Sequence, residues 1–498
     1  MALLRGRASG GAGETGLGTI DWLICAYLTL PLLLFCAWFT PPVAVVMALA
    51  SAYALHVPFK GVGGASRTDL GPRMLAAIGL IALIWTALAG VGHFVYANTD
   101  WQTRDAVLRD LVATRWPPRY EGDGDWPVIL RAPVGYYLPS AALGSVLGQH
   151  AASLSLYAWT ATGFALFLAA AASLFDSARQ RWICLVVLIA FGGMDLPGYI
   201  LDNGRLPALG QHIEAWAGYV QYSSNSTLLF WVPNHALPAW LGSVLLLRHW
   251  RTPALARLAP LMAAAIPLWS PLAAIGLAPF FAAGLDWRRD GRRVLSIRES
   301  WPVLAVAFIV ARYLTMDSVR IPSAWTMWRF PEVSDFLVFY VKFCGLEFGL
   351  LALVLGGLRR YDVSLGVAVL VLLVLPFYQF GPSNDLAMRS SIPALTVLAL
   401  ATVVPLADRG ASVWRYALLL ILGVGALGAA QEPLRAVLRP RWLPTGETLG
   451  ELSSPHQPSY AGWLPPHYVA QLNQPGLAML MREPTMVLPD AAASGAAR

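Results

Sequence analysis

The chain is poor in charge. Asp, Glu, Lys and Arg make up 13% of its 498 residues, against 57% hydrophobic residues. A water-soluble surface on a fold of this length needs far more charge, so a soluble globular protein is excluded. Cysteine is scarce too. Cys25, Cys36, Cys184 and Cys344 all lie inside apolar runs without metal-ligand spacing, which reads as packing. No Walker A sequence is present, so no ATPase motor is expected. No G-x-S-x-G elbow is present. His212-Ile213-Glu214 is not an H-E-x-x-H motif, and His93, His212 and His235 lack the spacing of a local zinc site. No cofactor is expected, and no spacing supports a divalent metal. No internal repeat marks the duplicated halves common in transporters. No cleavable signal peptide is evident, so the run from Ile20 reads as a retained span.

What is present is a series of apolar runs of roughly 15–23 residues, about the length that crosses a bilayer core as helix. In lipid every backbone polar group must be satisfied internally, so helix is the default for such runs. The spacing predicts an all-α polytopic membrane protein with about 13 transmembrane helices. Spans are placed near 20–39, 42–57, 74–96, 153–175, 181–197, 229–247, a proline-broken hairpin 258–285, 301–315, 334–356, 363–379, 391–407 and 414–430.

Basic residues set the orientation. They fall in short gaps: Arg5 and Arg7; Lys60, Arg67 and Arg73; Arg179 and Arg181; Arg248, Arg251 and Arg257; Arg288, Arg289, Arg292, Arg293 and Arg298; Arg359 and Arg360; Arg409 and Arg415. All become cytoplasmic if the N-terminus is inside and the C-terminus outside. Two conditions follow. Gly135–Gly148 lies at the interface without crossing, and 258–285 crosses twice with kinks at Pro267 and Pro271. The net charge of +7 is then explained by orientation, and no nucleic-acid partner is expected. Residues 1–73 read as an accessory pair of spans and 74–430 as the core. The core has external loops 97–152, 198–228, 316–333 and 380–390. The proline-rich segment 431–498 reads as an external extension, partly extended or weakly folded.

Three constellations carry possible chemistry. The first is Asn98 to Val112, directly after a span. Its apolar positions repeat at helical spacing, and Asp100/Arg104 and Asp105/Arg109 are four apart. One reading is an amphipathic interfacial helix with paired charges. The other is a carboxylate at the lip of a span that serves as base, with Asp100 first and Asp105 second. Downstream, Trp116, Trp126, Tyr136 and Tyr137 suit a membrane interface or sugar stacking. The second constellation is Asn234 and His235, between Pro233 and Pro238 inside an apolar run, with Asp195 at the end of another. The third is the turn Tyr378 to Pro393. There Asn384, Asp385 and Arg389 form either a helix cap with a salt bridge or a phosphate grip. Arg320, Arg329 and Arg312 are further phosphate candidates.

A span followed at once by an external loop with acidic Asp100 and Asp105, then the segment R-A-P-V-G-Y-Y-L-P at 131–139, then many spans and an external tail, resembles the GT-C superfamily of integral-membrane glycosyltransferases. The resemblance covers roughly 74–430 and is more topological than sequence-specific. The chain departs from the pattern in having two extra spans before the acidic loop and no adjacent Asp-Glu pair. The resemblance implies a GT-C-like fold in a bacterial inner (plasma) membrane. It also implies transfer of sugar from a polyprenyl-phosphate carrier to a lipid, glycan or protein acceptor at the external face. Asp100 or Asp105 would act as base. Arg389, Arg320, Arg104, Asn384, Asp385, Asn234, His235, Tyr136 and Tyr137 would hold donor and acceptor. The competing classes are a transporter or flippase of a lipid-linked or small polar solute, and a polysaccharide polymerase or ligase. A transporter places ionisable groups near the midplane. Here most candidates cluster toward one rim, which favours an enzyme.

Overall fold

The computed structural model describes residues 17–59, 70–122, 125–294, 297–358, 361–381, 383–444, 446–453 and 464–488. Arg5, Arg7, Lys60, Arg67, Arg359 and Arg360 lie outside the described residues, as do the side chains of Arg292, Arg293 and Arg298. The same holds for 454–463 and 489–498 of the extension.

The protein is mostly helical, and among the described residues seven helices are long and apolar enough to cross a membrane. They are Thr19–Trp38, Pro41–Phe59, Gln149–Ala172, Ala178–Asn203, Val333–Gly357, Asp385–Ala407 and Val413–Leu438. Shorter apolar helices fill the gaps between them. Proline opens many of these helices, including Pro41, Pro72, Pro233, Pro253 and Pro271, where its missing N–H costs nothing.

The region 258–285 forms two helices, Pro253–Trp269 and Pro271–Gly284, and the break falls at Ser270 between the two expected kinks. At one end of the hairpin the Ser270 hydroxyl meets His235, at the start of helix Pro233–Arg248. At the other end Arg251 N donates to Gly284 O, close to where that helix finishes. The two arms therefore run the full length of a neighbouring helix in opposite directions. At the same lower end Arg248 and His249 pair with Asp21, at the start of the first helix. The 10-residue helix Leu138–Leu147 is about 15 Å long, too short to cross. Gly148, at φ +89°, turns the chain sharply from it into Gln149–Ala172. The left-handed backbone there favours glycine.

The upper rim departs from a purely helical fold. Strands β1 (Pro118–Tyr120) and β2 (Val128–Leu130) pair antiparallel. The segments β3 (Ser323–Trp325) and β4 (Tyr378–Phe380) form a second, two-stranded ribbon. From the extension, β5 (Val469–Gln471) pairs antiparallel with β2, and β6 (Thr485–Met486) pairs parallel with β1. The described part of 431–498 is thus knitted into loop 97–152 rather than standing off as an appendage. Arg131 reinforces the seam by donating to Leu314 O at 3.0 Å and to Pro466 O.

Candidate functional site

Helix Asp100–Ala113 lies across the rim and is pinned at its start. Asn98 Nδ2 and Trp101 Nε1 both donate to Phe230 O, at 2.7 and 3.3 Å. The Asn98 carboxamide oxygen accepts from Asp100 N at 3.0 Å. This anchoring leaves the Asp100 carboxylate 46% exposed, with Oδ2 3.5 Å from Arg104 Nη2. Arg104 itself is 3% exposed, and its Nε and Nη1 have no hydrogen-bond partner among the described residues. A buried guanidinium with unmet donors is costly unless something else fills them.

Asp105 is differently placed. Its Oδ2 lies 2.8 Å from His93 Nε2, and both side chains are largely buried. Burial pushes its carboxyl up, against the pull of His93 and Arg104. The two carboxylates, ranked Asp100 before Asp105 from sequence, are placed differently: Asp100 faces the rim and Asp105 belongs to an internal pair.

The other candidates sort as clearly. Arg389 pairs with Asp385 at 3.0 Å, and its Nε lacks a partner among the described residues. The following Ser390 donates to Leu272 O at 2.7 Å, which docks this turn on the hairpin arm that Ser270 caps. His235 is buried with Nδ1 2.7 Å from Ser270 Oγ, and Asn234 Oδ1 is buried without a partner among the described residues. Arg389, Arg104 and His467 are the charged or titratable neighbours that act on the His235 ring. Asn384 serves the fold. At φ +56° it caps the helix that follows and donates to Tyr219 O at 3.0 Å.

Three expectations are corrected. Tyr136 and Tyr137 are fully buried, so neither ring is offered to a sugar. The Tyr136 hydroxyl bonds Thr160 at 2.7 Å, and the two rings pack edge to face. Arg320 is not with Asp100. It pairs with Asp317 at 3.3 Å and lines a separate cavity of about 700 Å³ with Glu121, Thr448 and Glu451. Arg312 is exposed, and Arg329 donates to Gln379 at 3.2 Å.

Sequence reasoning missed His467. It follows two prolines, next to Tyr468, just before β5. The strand pairing carries it to the rim, where Asp385, Arg389, Arg131 and Asp100 all act on it electrostatically. Its Nδ1 is enclosed and has no partner among the described residues. Burial, with Arg389 and Arg131 close by, holds the imidazole down at about 4. The only signal in the sequence was a His-Tyr pair inside a proline-rich stretch.

A second polar group lies below the rim. Glu347 sits in a π-turn, Gly345–Gly349, and accepts from Trp216 Nε1 at 2.7 Å. It faces Asp195, which is wholly buried. Two carboxyl groups so placed can bond each other only through a shared proton. A Cβ at Gly193 would collide with Glu347 Oε2, so the backbone there is shaped around the pair. No group of His, Cys, Asp and Glu suited to holding a metal occurs among the described residues.

The rim therefore gathers one accessible carboxylate, two arginines with open N–H groups and two imidazoles, drawn from separate stretches of chain. No protein-family model, curated protein or solved structure matches this chain.

Proposed function

We propose that the chain is a membrane glycosyltransferase that moves a sugar from a polyprenyl-phosphate carrier to an acceptor at the outward face. On this reading it crosses the membrane about thirteen times, with a GT-C-like fold, the N-terminus inside and the C-terminus outside, in a bacterial inner membrane. One observation carries the reading: an exposed carboxylate on Asp100 directly beside the buried, incompletely bonded guanidinium of Arg104, with Arg389 in the same cluster.

The chemistry follows from that pairing. Asp100 takes the proton of an acceptor hydroxyl. The acceptor oxygen bonds the anomeric carbon while the bond from that carbon to the phosphate oxygen breaks. The electron pair leaves with the phosphate, which changes from a monoanionic diester to a dianionic monoester. Arg104 and Arg389 meet that growing charge, and guanidinium groups suit phosphate oxygens. His235 and Asn234 line the floor.

The test is sugar transfer from a polyprenyl-phosphate donor by purified protein in lipid nanodiscs. Transfer that disappears in Asp100→Asn supports the reading; full transfer in that variant removes it.

A second reading, a proton-coupled transporter or flippase of a lipid-linked solute, draws on the Asp195–Glu347 pair, since buried carboxyls between helices mark proton paths. Its distinguishing result is solute movement that Glu347→Gln stops while Asp100→Asn leaves it intact.

A further inference from the structure

The transfer step uses no residue of the C-terminal extension, yet the extension reaches the reacting groups. We infer that His467 is a positioning and proton-accepting residue of this site, and that it takes up a proton when a phosphomonoester dianion lies between Arg104 and Arg389. The inference rests on the reading of this rim as a phosphate site.

Several independent observations converge on it. Arg104 Nε and Nη1 and Arg389 Nε, from two different stretches of chain, lack partners among the described residues, and both guanidinium charges lie within electrostatic reach of His235. His467 acts on that ring as well. Its own enclosed Nδ1 lacks a partner among the described residues. The groups that face His467 are Asp100 from helix Asp100–Ala113, Arg131 from the segment before Tyr136, and Asp385 and Arg389 from the turn opposite. Tyr468 packs beside it, with ring centroids 4.8 Å apart.

Without ligand, burial together with Arg389 and Arg131 opposes a charged imidazole, against the pull of Asp385 and Asp100. A dianion between Arg104 and Arg389 offsets both guanidinium charges, and with Asp100 and Asp385 alongside it leaves net negative charge facing the ring. Neutral imidazole then binds one proton from solvent and becomes imidazolium, and its N–H donates to a phosphate oxygen. The same event accompanies departure of the lipid phosphate, which gains one negative charge as its bond to the sugar breaks. The fold makes this placement specific. β5 pairs with β2 residue for residue, Leu130 with Val469 and Ile129 with Ala470, so the residues just before β5 are held at the rim. Arg131 clamps Pro466, directly before the histidine.

The experiment is calorimetric titration of the full-length protein in uncharged detergent at pH 7, in two buffers of different ionisation enthalpy. The probes are a short-chain polyprenyl phosphate and inorganic phosphate. Wild-type protein should take up a sizeable fraction of a proton on binding, and affinity should rise several-fold from pH 7.5 to 6. His467→Gln should still bind, more weakly, without that uptake. Uptake with the lipid alone assigns the ligand to a lipid headgroup. Uptake with both probes makes the dianion itself the recognised unit. Binding of wild-type protein without proton uptake, or equal uptake in His467→Gln, overturns the inference and leaves the phosphate reading standing. Failure of both probes to bind overturns the phosphate reading and the inference with it. The wild-type measurements decide the matter even if the variant does not fold.

Discussion

His93 Nε2 and Asp105 Oδ2 lie 2.8 Å apart inside the rim, and this contact divides the labour between two acidic residues five positions apart on one helix. The chain reaches it through a turn in which Gly90, Gly92 and His93 all adopt positive φ. The ring of His93 also packs edge-on against Trp442, at 4.6 Å between centroids, so the pair lies in the wall between the first loop and the extension.

Asp105→Asn should therefore be a stability variant. It removes a buried charge-assisted bond, at a cost of about 1–3 kcal/mol. Asp100→Asn, at an exposed helix start, should melt within a few degrees of wild type while abolishing transfer. Thermal melts in detergent alongside transfer assays separate the two. Matching losses of activity at unchanged stability in both variants would refute the division.

The depressed imidazole of His467 gives a pH dependence. Its ordinary value is 6.5 and its folded value about 4. Between those values the unfolded chain binds more protons, so stability rises with pH there. The contribution is present in full above 6.5 and is lost as pH falls through 4, worth roughly 3 kcal/mol at most. Protection factors of 464–472 in ligand-free protein, corrected for the pH dependence of intrinsic exchange, should fall as pH drops through that window. Protection factors there in His467→Gln should stay flat.

Tyr136→Phe should cost about 1 kcal/mol, because it breaks one buried hydrogen bond to Thr160 and leaves the ring packed. Donor affinity should not change, since the ring is closed off from any sugar. A large loss of affinity at unchanged stability would show that the tyrosine does meet substrate.

Gly193→Ala should be poorly tolerated, since the added methyl collides with Glu347 Oε2. Shifting Glu347 breaks its bond from Trp216 and leaves a buried carboxyl unmet, so a loss of about 1–3 kcal/mol is expected. Gly193→Ala combined with Glu347→Ala should recover much of it. Thermal melts of both variants check the pair.

The membrane body was legible because lipid forbids unmet backbone groups, which leaves long apolar runs little choice but helix. Even the hairpin 258–285 was readable, from basic residues on both flanks and prolines at its bend. The rim was less so. Tyr136 and Tyr137 look in sequence like interface anchors, and only their burial in the fold shows them enclosed. Arg320 and Arg389 were equal candidates until the fold carried one to a different cavity. His467 depends on a strand pairing between Val128–Leu130 and Val469–Gln471, a contact with no local trace. Asp100 stood out in sequence because its position beside a span is a local property.

The sheet that unites β1 and β2 with β5 and β6 has a bearing on biosynthesis. Its inner strands leave the ribosome early, whereas their edge partners emerge only after nearly all the intervening helices have been inserted. The early pair must wait in the meantime with both outer edges unpaired. Polypeptides interrupted before residue 469 should insert into the bilayer yet expose those edges to chaperones and proteases. Supplying the missing segment as a separate peptide offers a direct way to ask whether maturation is reversible.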